Sequence, residues 1–145
     1  MTPCAECGAP GKPCAELFHT VLALDHSRRP PWGPLHGVTV ACFLLQHPSR
    51  LPERDRARVW QVLRTYLDEG ATGLATLTAR ARRANSHRNR RAAAPGAPPP
   101  PPGPAPTSFS VTIADVAQDG TFPAAGFPER VRAWALVTVT AWGNG

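Results

Sequence analysis

Residues 36–48 read HGVTVACFLLQHP, and the fold turns on how this run is read. It is apolar almost all the way round, so it belongs in a core and not at a surface. It is also too short to span a membrane, which takes about 18 or more apolar residues. As a helix it is a central core element stopped by Pro48, whose ring disfavours helical backbone in the residue before it. As a strand it would be buried on both faces, and Val38, Thr39 and Val40 suit that state. The helix is the reading adopted.

Working outward, residues 1–13 form a loop rich in Cys, Gly and Pro. A helix follows, with Pro13 in its first turn, where the missing N–H costs nothing. Leu17, Val21 and Leu24 recur along it at helical spacing, with Phe18 and Leu22 beside them. The segment SRRPPWGPL, 27–35, breaks the chain before the central run. Beyond that run, SRLPERDRARVWQVLRTYLDEG (49–70) is a clear helix, with Ser49 or Asp55 as its cap and Gly70 as its end. Val59, Val62, Leu63, Tyr66 and Leu67 make its apolar face. A shorter fourth helix is expected over TGLATLTARARR, 72–83.

Composition then changes. The stretch RRANSHRNRRAAAPGAPPPPPGPAPT (82–107) has no hydrophobic period, and its prolines favour an extended chain. FSVTIADV, 109–116, reads as a short extended piece. PERVRAWALVTVTAW, 128–142, reads as a helix starting at Pro128, with Val131, Trp134, Ala135, Thr138 and Trp142 on one side; its β-branched run leaves a strand possible. Two tryptophans so near the end of the chain imply that this tail docks back on the first half. The expectation is a mainly α, small helical domain with an N-terminal zinc-knuckle loop and a disordered Arg/Pro-rich insert. Its parts are residues 1–83, the knuckle and helical core; 84–107, the disordered linker; and 108–145, the returning segment and helix.

The chain has 145 residues and a formal charge of +6, and Lys12 is the single lysine among sixteen basic residues. That length suggests one domain. No apolar run approaches the length of a membrane span, and Met1-Thr2-Pro3-Cys4 lacks the basic and apolar regions of a signal peptide. A reducing cytoplasm is the expected compartment. There, clustered cysteines are more often metal ligands or redox groups than structural disulfides.

Three of the four cysteines lie in MTPCAECGAPGKPC, residues 1–14. Cys4 and Cys7 stand in the spacing C-x-x-C-G, the hairpin in which two thiolates reach one ion and Gly8 lets the backbone turn. Cys14, at the start of the first helix, is close enough to be a third ligand and is more readily ionised there. His19, His26, His36, Cys42, His47 and His87 are the candidates for the fourth. His36 and His47 bracket the central run about 16 Å apart in a straight helix, so one zinc cannot take both. Two helices joined by a short connection tend to be antiparallel, which puts the end of the second beside the start of the first. The predicted zinc site is therefore Cys4, Cys7, Cys14 and His47, with His36 as the alternative fourth ligand. In that hairpin His36 sits at the opposite end, near Asp25 and His26.

The pattern carried by Cys4, Cys7, Cys14, Phe18, His36, Val40, Gln46, His47, Pro48, Trp134 and Trp142 resembles a bacterial family of small proteins of unknown function. The resemblance covers most of the chain outside residues 80–107, and LLQHPSR is its most specific piece. It implies that the cysteines and histidines belong to one shared pattern, and it implies no activity.

Three functions fit these residues. The first is a non-enzymatic module with structural zinc that binds a protein or a small ligand. The second is a zinc hydrolase or lyase with an open coordination position, to which His36, Asp25 and Gln46 would contribute. The third is nucleic-acid binding through Arg80, Arg82, Arg83, Arg88, Arg90 and Arg91. That cluster has no interleaved aromatic side chains for stacking on bases. No protease, esterase or phosphate-binding motif is present, so the balance is against an enzyme.

Overall fold

The computed structural model describes residues 3–86 and 104–143. The central run is a helix. α1 spans Cys14–His26, α2 His36–Gln46, α3 Arg56–Ser86, α4 Ile113–Val116 and α5 Phe127–Gly143, with single 3₁₀ turns at Gly33–Leu35, Pro48–Arg50 and Glu53–Asp55. Among the described residues there is no strand, only a single bridge between Gln118 and Thr121. No described helix is long and apolar enough to cross a membrane.

α2 is the axis. Val38, Thr39, Ala41, Cys42, Phe43, Leu45 and Gln46 are all buried, and past the exposed His36 only the half-buried stripe of Gly37, Val40 and Leu44 faces outward. α1, α3 and α5 each pack against it. The β-branched residues at its start are compatible with a helix because their side chains fill the core that tertiary packing provides. Each large apolar side chain so buried contributes roughly 1.5–3 kcal/mol.

α1 and α2 run antiparallel. The two ends of the pair show it: Cys14 lies with His47, and Asp25 lies with His36. Pro13 is the residue just before α1, one place earlier than the sequence suggested. Ser49 and Asp55 fall within the two 3₁₀ turns that precede α3. α3 contains the expected break. Gly70 has φ 71° and ψ −164°, a conformation outside the helix that only glycine adopts without strain. Both predicted helices, 49–70 and 72–83, are thus parts of one bent element.

Residues 109–116 correct the sequence reading. They end in a short helix, α4, instead of forming an extended piece. Its start is a capping box, in which the Thr112 hydroxyl accepts from the Ala114 N–H while the Asp115 carboxylate accepts from the Thr112 N–H. The Thr-x-x-Asp spacing of Thr112 and Asp115 is the sequence signature of such a helix start. Most of the predicted linker lies outside the described residues, 84–86 being the end of α3 and 104–107 an irregular lead into Phe109.

α5 buries Val131, Trp134, Ala135, Thr138, Val139 and Trp142, the face expected from the sequence. It is locked to α2 by polar contacts inside the core. The Trp142 indole donates to the Leu45 carbonyl at 2.8 Å. The Gln46 amide donates to the Thr138 hydroxyl and to the Val111 carbonyl, both at 2.9 Å. Arg130 adds a clamp, donating to the carbonyls of Val116, Ala125 and Pro123 and so tying α4 and its following loop to α5.

Gln46 is fully buried, so removing its donors strands two acceptors in the core. Gln46→Met, close in shape, is expected to cost about 1–3 kcal/mol, measured as a lower urea midpoint with an unchanged slope.

Candidate metal centre

The N-terminal loop turns back on itself before α1. The Gly8 N–H donates to the Cys4 carbonyl and the Cys4 N–H to the Ala9 carbonyl, both at 2.9 Å. Gly8 makes the turn with φ 85°, in the left-handed region that favours glycine. Two outside contacts hold the loop down. Glu6 accepts from the Ser49 N–H at 2.9 Å and from the Ser49 hydroxyl at 3.0 Å, pinning the loop to the 3₁₀ turn just past α2. The Phe109 N–H donates to the Cys7 carbonyl at 3.2 Å.

These contacts bring Cys4, Cys7 and Cys14 against His47. One ligand atom from each of the four lies within 4.8 Å of every other. Cys7 Sγ and Cys14 Sγ are 3.6 Å apart, and Cys4 Sγ is 3.7 Å from His47 Nε2. All four cysteines of the chain are free thiols. Cys7, Cys14 and His47 are buried and Cys4 is half-buried.

His47 is aimed by its own helix. Its Nδ1 donates to the Phe43 carbonyl at 2.8 Å, one of the last-turn carbonyls with no intrahelical partner. That bond leaves Nε2 as the nitrogen facing Cys4, the second-sphere arrangement of metal-binding histidines. The ring also stacks on Phe43 at 4.1 Å, and Phe43 stacks on Phe18 at 3.9 Å.

The buried Cys7 and Cys14 sulfurs are in hydrogen-bond contact. The hydrogen bond with Cys14, against the opposing effect of burial, holds Cys7 down at about 4. The same pairing, with burial, pushes Cys14 up. Burial works against a charge on His47, but the Cys7 sulfur and the Phe43 carbonyl outweigh it and push His47 up to about 8. A soft anionic sulfur set with one imidazole could hold a metal ion, which would displace these protons.

A cleft of about 490 Å³ opens beside the cluster, lined by Cys4, Glu6, Lys12, Phe43, His47 and Arg50 among others. The Arg50 guanidinium lies 5.5 Å from the Phe43 ring centre. Neither the Glu6–Ser49 clamp nor the cleft cations were identified from sequence, where Glu6 and Lys12 are unremarkable loop residues. A usable signal was the Phe43–His47 spacing of four on a helix.

The other candidates are elsewhere. His36 lies at the far end of α2, where its Nδ1 meets Asp25 Oδ2 at 3.0 Å. Cys42 is fully buried in the core. His19 and His26 are exposed, and His87 lies outside the described residues. Gln46 is committed to α5, so Asp25, His36 and Gln46 do not converge on the cysteine cluster. Arg80, Arg82 and Arg83 are exposed on the outer part of α3, whereas Arg88, Arg90 and Arg91 lie outside the described residues.

A family model described as a family of unknown function (DUF5946) matches residues 2–143. The chain belongs to that family. No curated protein and no solved structure matches it.

The loop geometry is testable at Gly8. An added Cβ would meet only Ser108 at an ordinary 3.6 Å, so any penalty comes from the backbone. Gly8→Ala is expected to lower stability by about 1–2 kcal/mol, read by thermal melting. Gly8→Asn, which tolerates this region better, should lose less.

Proposed function

We propose that Cys4, Cys7, Cys14 and His47 bind one structural zinc ion, and that the protein is a non-enzymatic module that this ion holds together. The observation that carries the reading is the match between donor spacing and ion. Zinc bonded at about 2.3 Å to sulfur and about 2.0 Å to nitrogen separates tetrahedral sulfurs by about 3.8 Å, and sulfur from nitrogen by about 3.5 Å. The spacings here are 3.6 Å and 3.7 Å. Three thiolates and an imidazole favour zinc over hard cations, and four protein donors fill its shell, as in structural sites.

Charge supports the same reading. Zinc with three thiolates and a neutral imidazole carries a net −1, and Glu6 adds another. Lys12 and Arg50 on the rim of the cleft offset both. The cleft, of a size that takes a small molecule or a peptide side chain, is where the module would meet a small ligand or a partner protein.

The purified full-length protein should contain about one zinc per chain, with X-ray absorption giving three sulfur neighbours and one nitrogen. Recovery of a metal-free, reduced and equally stable protein would defeat the proposal. His47→Ala should lose zinc and unfold at lower temperature, since binding and folding are coupled, whereas His36→Ala should keep it. Cys42→Ala removes only a core sulfur, so its cost should be about 1 kcal/mol with full metal content.

A further inference from the structure

Asp25 is an expensive residue where it stands. It lies in the last turn of α1, the negative end of that helix. It is only 4% exposed, and its Oδ1 is buried with no hydrogen-bond partner among the described residues. Its Oδ2 accepts from His36 Nδ1 at 3.0 Å. Burial pushes the Asp25 carboxyl up, against the pull of His36 and His26. A buried carboxylate behind one imidazole nitrogen holds that ring in a fixed orientation and makes its other nitrogen more basic.

The His36 side chain is 48% exposed, and no hydrogen bond from a described residue occupies its other nitrogen, Nε2. His26, the last residue of α1, is exposed beside it, with ring centres 6.1 Å apart and planes tilted by 43°. An ion about 2.0 Å from each nitrogen sits about 3.2 Å from each ring centre. The 6.1 Å between the rings is within the roughly 6.4 Å that two imidazoles on one ion span. A positive ion on Nε2 would also strengthen the hydrogen bond to Asp25 and offset its buried charge.

We propose a second metal site at His26 and His36, with Asp25 as its positioning residue, that takes an imidazole-preferring divalent ion such as Ni²⁺ and completes its shell with water. It lies at the opposite end of the α1–α2 pair from the cysteine cluster and does not depend on that cluster holding zinc.

The test is Ni²⁺ titration of the full-length protein by calorimetry, with NMR of the histidine rings. The wild type should bind one Ni²⁺ with broadening of the His26 and His36 ring signals. His36→Ala and His26→Ala should each weaken that event at least tenfold, and His19→Ala should not. Asp25→Asn should weaken it about 10–100-fold, the usual effect of losing an outer-sphere partner. His26 is exposed and its removal spares the fold; His36→Ala strands the buried Asp25 carboxylate, so it is also made together with Asp25→Asn, and that double variant should likewise weaken the event at least tenfold. A Ni²⁺ event that survives His26→Ala and His36→Ala, or that vanishes only in His47→Ala, would overturn the proposal, because the ion would then be on the cysteine cluster. So would the absence of ring broadening at saturation.

Discussion

α2 keeps only a narrow, half-buried stripe toward solvent, and the rest of the molecule follows from that. A helix buried over most of its surface must be covered on several sides, and α1, α3 and α5 supply the cover. Its side chains go to packing, so its chemistry is confined to its two ends. His36 starts it and His47 follows its last residue. The antiparallel run of α1 beside it then decides the partners. The start of α1 brings Cys14 to His47, and its end brings Asp25 to His36. One packing constraint thus produces two polar sites about 16 Å apart along the helix.

The two ends differ in how they treat charge. At the His47 end the donors are three sulfurs and one nitrogen, drawn from a loop, a helix start and a helix end. The burial of Cys7, Cys14 and His47 raises the cost of any uncompensated charge. At the His36 end a single carboxylate is buried and the imidazoles are exposed, so water completes whatever they hold. The first arrangement suits an ion retained through folding. The second suits one that exchanges.

Much of this was legible in the sequence because the relevant signals are local. C-x-x-C-G announces a turn, Leu17 and Val21 announce a helix, and Gly70 announces a break. The approach of Cys14 to His47 follows from one topological rule about short connections. What the sequence reading missed depends on contacts between distant segments. Glu6 and Ser49 are 43 residues apart; Gln46 and Thr138 are 92 apart. No periodicity encodes such pairs. Gln46 illustrates the difference: as a polar residue near two histidines it suggested chemistry, yet it is a fully buried strut between α2 and α5. In α4 the Thr112–Asp115 capping box prevails over the β-branched propensity of Val111, Thr112 and Ile113.

The N-terminal loop also shows why a metal would matter to the fold. Of residues 3–13 only Cys7 and Ala9 are buried, too little apolar surface to hold such a stretch in place. Glu6 and the Phe109 N–H help, but both bonds are modest. A metal joining Cys4 to His47 closes a loop of 43 residues. By the chain-entropy argument for cross-links, a closure of that length is worth about 4 kcal/mol, comparable to the whole margin of a small domain. The same argument does not apply to the His26–His36 pair, which spans ten residues of an α1–α2 hairpin already fixed by packing. An ion at the cysteine end would therefore stabilise the fold strongly, whereas one at the histidine end would report its binding with little change in stability.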